Sequence, residues 1–65
     1  MNTIKIKYQS GNKVINYDIK IDKILFILSK LENKNIKFES FEQIEKLMKK
    51  YKLFDEYFLD NINKL

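Results

Sequence analysis

The only glycine of the chain, Gly11, separates two stretches in which apolar and polar residues alternate. Alternation with a period of two is typical of a β-strand with one buried face, because successive side chains point to opposite faces of the sheet. A two-residue loop at Gly11 and Asn12 suits a primed hairpin turn, which requires a positive φ. The sequence therefore predicts a β-hairpin over residues 2–21.

The position of this turn also fixes which residues face each other across the hairpin. On the apolar face, the expected partners are Tyr8 with Ile15, Ile6 with Tyr17, and Ile4 with Ile19, and Ile21 continues that face. On the polar face, Lys5 is expected opposite Asp18, and Lys7 opposite Asn16. A slip of one residue would mix the two faces, so this register is strongly specified.

No covalent or metal link is available to stabilise so small a fold. The 65 residues include no cysteine and no histidine, which excludes a disulfide or a histidine- or cysteine-ligated zinc site. A chain of this length has a thin margin of stability. Apolar packing must therefore hold the fold together, and association into a homodimer is the one further means of stabilisation.

The first helix is predicted over residues 23–33, with Asp22 as its N-cap and Asn33 as a left-handed stop. On a helical wheel its buried arc consists of Ile24, Ile27, Leu28 and Leu31, flanked by Leu25. Phe26 falls on the opposite side, among polar residues. Either another part of the chain covers Phe26 or a partner does. We favour a cover within the chain, because a small protein leaves little apolar area exposed.

The second helix is predicted over residues 41–51, because Ser40 begins the capping-box sequence SFEQ. Its apolar stripe consists of Phe41, Ile44, Leu47, Met48 and Tyr51. An unbroken helix would extend this stripe through Phe54, Phe58, Ile62 and Leu65, interrupted only by Asp55. We favour a break near residues 52–54, with Asp55 capping a third helix over residues 55–64, because a buried unpaired carboxylate is unfavourable.

These elements predict an α+β fold of order ββααα in a single domain over residues 1–65. After the buried stripes are assigned, three large side chains lie off them: Phe26, Leu53 and Tyr57. These side chains are the first candidates for a surface that contacts a partner.

Catalysis is not indicated by any residue pattern. Without histidine or cysteine, acid–base and nucleophilic chemistry would depend on carboxylates, lysine or tyrosine. The carboxylates cluster at helix ends and on solvated faces, and no phosphate-loop or EF-hand pattern accompanies them. We therefore expect no enzyme, no metal site and no cofactor.

The first functional hypothesis is a small protein-interaction module that binds and occludes a larger protein. Its candidate contact residues are Phe26, Leu53 and Tyr57, together with Lys5, Lys7, Asn16 and Asp18 on the polar hairpin face. Lysine, isoleucine and asparagine, which have AT-rich codons, make up nearly half of the chain. Small proteins of AT-rich phages or mobile elements are often inhibitors, antitoxin-like factors or anti-defence factors, so we expect a role of this kind.

The second hypothesis is weak nucleic-acid binding by the lysine-rich hairpin and first helix. Residues 1–37 hold eight lysines and three acidic residues, giving a charge of +5, whereas residues 38–65 carry −1. The candidate contacts are Lys5, Lys7, Lys13, Lys20, Lys23, Lys30 and Lys34. The chain has no arginine, which base readout favours, and no recognisable binding motif, so this hypothesis ranks below protein binding.

The longest apolar run, residues 24–28, is far shorter than the ~20 residues of a membrane span. It also lies too deep in the chain for a signal peptide. We therefore expect a cytoplasmic protein without a membrane partner.

Overall fold

The structure, a computed structural model, describes residues 2–65. Two antiparallel strands, β1 (Thr3–Ser10) and β2 (Lys13–Lys20), form a hairpin. Three helices follow, α1 (Ile21–Glu32), α2 (Phe41–Lys50) and α3 (Glu56–Asn61), and a 3₁₀ turn, Ile62–Lys64, continues from α3. The predicted α+β fold of order ββααα is confirmed.

The hairpin has the predicted register in every pair. Lys5 lies opposite Asp18, Lys7 opposite Asn16, and the apolar partners on the other face are those expected. Of the two loop residues only Gly11 has a positive φ, 61°, which is the pattern of a type II′ turn. Glycine at this first central position is what allows the chain to turn within two residues.

β2 passes directly into α1, which begins at Ile21, two residues earlier than predicted. Asp22 is therefore not the N-cap, and that prediction is wrong. The N-cap is Lys20, and Asp22 lies within the first helical turn, where its Oδ1 accepts a bond of 2.9 Å from the Lys23 N–H. An acidic side chain at this end of a helix still interacts favourably with the helix dipole.

The predicted stop of α1 at Asn33 is confirmed, since this residue has the left-handed conformation (φ 57°). The Asn33 N–H bonds the Lys30 carbonyl at 3.3 Å, and the Lys34 N–H bonds the Ser29 carbonyl at 3.1 Å. These two bonds form a Schellman motif, which satisfies carbonyls that the end of the helix would otherwise leave unpaired.

The favoured break after α2 is also confirmed. Lys52 has φ 56°, and a second Schellman motif joins Lys52 N–H to Lys49 O (3.2 Å) and Leu53 N–H to Met48 O (2.8 Å). Asp55 then caps α3 by accepting a 3.0 Å bond from the Phe58 N–H. Five residues, 51–55, thus link α2 to α3, and α3 folds back onto β2.

Ser40 caps α2 as predicted, with its hydroxyl group accepting a 3.1 Å bond from the Gln43 N–H. The return bond differs from a standard capping box. Gln43 Oε1 accepts from the Glu39 N–H at 2.8 Å, and Gln43 Nε2 donates to the Lys37 carbonyl at 2.9 Å. Gln43 therefore fixes the irregular segment before α2 as well as the helix itself.

The core lies where the apolar hairpin face meets the three helices and the 3₁₀ turn. It consists of Ile4, Ile6, Ile19, Ile24, Leu28, Ile44, Met48, Leu59 and Ile62. Two residues that we assigned to buried stripes, Leu31 (44 %) and Phe41 (47 %), are exposed instead. Leu65, which only an unbroken helix would have placed on the stripe, is exposed as well (66 %). Each lies in the first or last turn of its element or just beyond it, so it extends past the hairpin face that buries the middle of the stripe.

Leu59, which the continuous stripe did not include, is 2 % exposed. The break at Lys52 explains why Leu59 is buried. Because α3 is a separate helix that begins at Glu56, the direction of its apolar face does not depend on that of α2. Leu59 and Ile62, three residues apart, then lie on one face and bury together.

Candidate interaction surfaces

Phe26 is exposed on the side of α1 that faces away from the core. Ile24 and Leu28 are fully buried, and Phe26, two positions from each, projects from the opposite side with 62 % of its surface exposed. The cover that we expected within the chain is therefore absent from residues 2–65. Lys30 Nζ lies 5.2 Å from the centre of the Phe26 ring, a cation–π distance.

The exposed Phe26 ring has an apolar neighbour, Leu65. Together with Asp22 and Lys23 these residues line a shallow hollow of about 280 Å³. The Lys23 ammonium group bonds the backbone oxygen of Leu65, which holds the end of the chain beside α1. We call Phe26 and Leu65, with the flanking Lys23, the Phe26 patch.

The other two spare side chains differ from each other. Tyr57, in the first turn of α3, is 78 % exposed and is the most accessible large apolar side chain in residues 2–65. Leu53 is half-buried and packs against the core, so it presents less of its surface to a partner than Tyr57 does. The Schellman motif explains the difference, because it directs the residue after a left-handed stop back toward the helix it ends.

The polar hairpin face is exposed, as expected for Lys5, Lys7, Asn16 and Asp18. Lys5 and Asp18 are opposite in register, yet the one ion pair in the described part of the chain joins Lys50 to Glu32. The lysines of this face are thus not held by a carboxylate and are free to contact another molecule.

The seven lysines of the nucleic-acid hypothesis do not gather on one face. Alternation along the strands puts Lys5, Lys7 and Lys20 on the polar hairpin face and Lys13 on the other face. Lys23 and Lys30 lie on α1 beside Phe26, and Lys34 follows the end of α1. Three lysines are the largest set that shares the polar face of the sheet.

A further apolar surface, which the sequence did not reveal, lies beside β1. Thr3, Ile4, Lys5, Ile6, Phe41 and Glu45 line a groove of about 380 Å³, which we call the β1 groove. Phe38 packs against Phe41 with ring centres 5.7 Å apart, and 41 % and 47 % of their respective surfaces are exposed. The only sequence signal for this surface was the position of Phe41 as the first residue of its helix.

The two edges of the hairpin have different surroundings. The side-chain amide of Asn63, in the 3₁₀ turn, accepts a 3.0 Å bond from the Lys20 N–H and donates a 2.6 Å bond to the Asp18 carbonyl. Asn63 therefore covers the free edge of β2 as a neighbouring strand would. Among residues 2–65 no backbone or side-chain group bonds the free edge of β1 in this way.

Shifted pKa values occur where elements are joined. Partial burial, together with the nearby Asp60 carboxylate of α3, raises the pKa of Tyr17 to about 12. Lys50 and Tyr51 hold the pKa of Glu32 below its ordinary value, chiefly through the Lys50 hydrogen bond. These groups connect the helices to one another and to β2.

Two further kinds of feature are absent from residues 2–65. No group of three or more acidic side chains in residues 2–65 is placed to hold a metal ion. None of the helices in that range combines the length and the apolar character that crossing a membrane requires.

Comparisons of the chain with protein-family models, with curated proteins and with solved structures found no match.

Proposed function

We propose that this protein is a non-catalytic interaction module that binds and occludes a larger protein. The observation that carries the proposal is the exposure of Phe26, a large aromatic side chain on the outer face of α1 with Leu65 beside it. Aromatic side chains ringed by polar groups are typical of the centres of protein interfaces. Lys23, Lys30 and Asp22 provide such a polar ring.

The packing of the rest of the chain supports this interpretation. The nine core residues are all aliphatic or methionine, and no polar or charged residue in the described range is buried. The aromatic residues Phe26 and Tyr57 contribute little to this core. Exposed aromatic area does not stabilise the monomer. Exposed apolar patches of this kind are typical of surfaces that contact another molecule.

The biological role that fits best is that of an inhibitor or antitoxin-like factor, such as an anti-defence factor of a phage or mobile element, acting in the cytoplasm. The support for this role is the composition, rich in lysine, isoleucine and asparagine, and the small size of the domain. An occluding protein needs only a stable surface, which this fold provides without catalytic groups.

The proposal is tested by capture of the partner with the tagged protein from a lysate of the native host. We expect one larger protein to be captured in a stoichiometric amount. At least one of Phe26→Ala and Tyr57→Ala should weaken its binding tenfold or more, because truncation of an aromatic at an interface centre typically has an effect of about 2 kcal/mol.

Lys46→Ala is the control, because Lys46 is exposed on α2 and belongs to neither the Phe26 patch nor the β1 groove. It should bind the captured protein as the unmodified chain does. Equal binding by all three variants, with the fold intact, would contradict the proposal.

A further inference from the structure

The free edge of β1 is the starting point of a more specific inference about the partner. Asn63 bonds the Lys20 N–H and the Asp18 carbonyl, so these backbone groups point away from β1. In an antiparallel pair, a residue that points its backbone groups away from its partner strand lies opposite one that does the same. The partners of Lys20 and Asp18 are Thr3 and Lys5, whose N–H and C=O groups therefore point to the free edge of β1.

The same alternation extends along the strand. Every second residue of β1 directs its backbone groups to the free edge, so Lys7 and Gln9 follow Thr3 and Lys5. This edge offers a continuous row of donors and acceptors over residues 3–9. At about 3.3 Å per residue, a segment of roughly seven residues would pair with its full length.

The β1 groove lies on this side of the strand. It is lined by β1 and by Phe41 and Glu45 of α2, and no residue of β2 contributes to it. A second hollow of about 330 Å³ shares Lys5, Ile6 and Glu45 with it and is also lined by Lys7, by Asn16 of β2 and by Phe54. A strand added to the free edge would thus lie between β1 and α2. Every second side chain of this strand would lie on the apolar face, where Phe41 lines the groove.

We propose that the free edge of β1 binds an extended segment of the partner protein in which apolar and acidic residues alternate. The inference rests on the proposed function and supplies the chemistry of the partner. Strand addition to an exposed sheet edge is a common mode of peptide recognition, in which backbone bonds give affinity and alternate side chains give specificity.

Charge determines which residues the bound segment would carry at its positions on the polar hairpin face. The segment's side chains on the polar hairpin face lie beside Lys5 and Lys7, which no carboxylate holds in an ion pair. Acidic residues at those positions would form cross-strand pairs of opposite charge. The other positions face Ile4, Ile6 and Phe41, and the Glu45 carboxylate in the groove disfavours an acidic residue there.

The same charges disfavour a second copy of this chain as the occupant. A two-fold antiparallel pairing of β1 with β1 of a copy, centred on residues 5–7, sets Lys5 or Lys7 directly opposite a lysine of the copy. Like charges directly opposite each other destabilise a strand pair. These charges favour a segment from a different, more acidic chain.

A synthetic peptide tests the inference on the intact protein. The probe is a capped seven-residue peptide in which glutamate and valine alternate, and its control has lysine in place of glutamate. In an NMR titration we expect the glutamate peptide to bind at least tenfold more tightly than the lysine peptide. The Lys5 and Lys7 amides should become protected from hydrogen exchange, because they enter new hydrogen bonds.

Two further peptides test the backbone pairing. One peptide is N-methylated at its glutamate residues and the other at its valine residues. In either strand direction only one set of peptide N–H groups faces β1, so one methylated peptide should lose binding and the other should keep it.

Two variants test the site. The double substitution Lys5→Glu/Lys7→Glu changes exposed side chains and should reverse the preference between the two peptides. Phe41→Ala should weaken binding of the glutamate peptide severalfold, whereas Phe26→Ala should leave it unchanged, because Phe26 is not part of the β1 groove.

The inference is overturned if the glutamate peptide shows no binding at about 1 mM. It is also overturned if both peptides bind equally, or if the Lys5 and Lys7 amides are protected in a dimer without peptide. If the glutamate peptide does not bind but a partner is still captured in a way that depends on Phe26, this inference is contradicted and the proposed function is not. Peptide binding without such capture would support it and contradict the Phe26 patch as the interface.

Discussion

The Tyr51 hydroxyl group donates a hydrogen bond to the Glu32 carboxylate and so joins the ends of α1 and α2. Lys50 Nζ lies 2.7 Å from the same carboxylate. No other ion pair is present in residues 2–65. The Glu32 carboxylate therefore adds a polar link between the ends of two helices whose buried side chains already pack in one core.

This carboxylate should make stability depend on pH in the acid range. The Lys50 and Tyr51 bonds lower the pKa of folded Glu32 below its ordinary 4.5, so the folded state holds its proton less tightly than the unfolded state. The stabilisation is present above pH 4.5 and is lost as pH falls through the lower, folded pKa.

The measurement is the difference in Tm between the unmodified protein and Glu32→Gln across this pH range. We expect the unmodified protein to have the higher Tm at neutral pH and the difference to close in acid. Glutamine keeps an oxygen that can accept from Tyr51, so the comparison isolates the charge. A difference that stays constant with pH would show that the charge of Glu32 does not contribute.

Ile24→Ala should destabilise the fold strongly and Phe26→Ala hardly at all, although the residues are two positions apart. Ile24 is fully buried, and its truncation should lower the free energy of unfolding by about 2–5 kcal/mol, a large part of the total for so small a domain. Phe26→Ala should change it by less than about 0.5 kcal/mol. Thermal unfolding followed by circular dichroism compares the two, and a large loss for Phe26→Ala would show that its ring is part of the core.

Lys52→Gly should stabilise the protein. Lys52 occupies the left-handed region (φ 56°), which is unfavourable for a residue with a Cβ by about 1–2 kcal/mol and is free of that strain for glycine. We expect a gain of about 1 kcal/mol, which corresponds to roughly 4–8 °C in Tm for a domain of this size.

Lys49→Gly is the control for this substitution, because Lys49 is also exposed but lies within α2, in its last turn. Glycine there should lower the free energy of unfolding by about 1 kcal/mol. If both substitutions destabilise to the same extent, the left-handed stop at Lys52 is not a source of strain.

The sequence was sufficient to predict those features that depend on neighbouring residues. The hairpin register followed from one glycine and the alternation around it, and the break before α3 followed from the unfavourable position of Asp55. The exposure of Phe41 and Leu31 could not be predicted in this way. A helical wheel gives the direction of a side chain but not how far the neighbouring sheet extends along the helix.

The surfaces proposed for binding were predictable to different degrees. Phe26 was evident as the one large apolar residue on the polar side of its helix, and Tyr57 was placed off the stripe for a similar reason. The β1 groove and the role of Asn63 depend on contacts between residues more than forty positions apart, which no local pattern encodes.

Asn63→Ala should destabilise the protein and uncover the edge of β2. Two hydrogen bonds are lost, each with a net contribution of about 0.5–1.5 kcal/mol. Asn61→Ala is the matched control, since Asn61 Nδ2 bonds only the Tyr57 carbonyl within its own helix. Hydrogen exchange of the Lys20 amide reports the edge directly, and it should accelerate in Asn63→Ala but not in Asn61→Ala.

Asn63→Asp separates the two bonds of this side chain. It keeps an acceptor for the Lys20 N–H but loses the donor for the Asp18 carbonyl, so an intermediate Tm is expected. Unchanged exchange of the Lys20 amide in Asn63→Ala would contradict the proposed cover of this edge.

Oligonucleotide binding, if measured, should be weak and only moderately sensitive to salt. Three lysines share the polar hairpin face, and contacts to three phosphates would reduce affinity about 40-fold between roughly 50 and 200 mM salt. Contacts by all seven candidate lysines would reduce it by roughly 6,000-fold over the same range. Fluorescence anisotropy over this range distinguishes the two, and the steeper dependence would favour the nucleic-acid hypothesis.

The bonds from Asn63 to Lys20 and Asp18 also have a consequence for synthesis of the chain. The hairpin is complete once residue 20 has been made, but a two-stranded hairpin is at best marginally stable alone. The residues that bury its apolar face and close its second edge include Leu59, Ile62 and Asn63. A nascent chain therefore gains a protected sheet only once residues 59–63 have emerged, so the hairpin and helices are expected to fold in one cooperative step rather than outward from the hairpin.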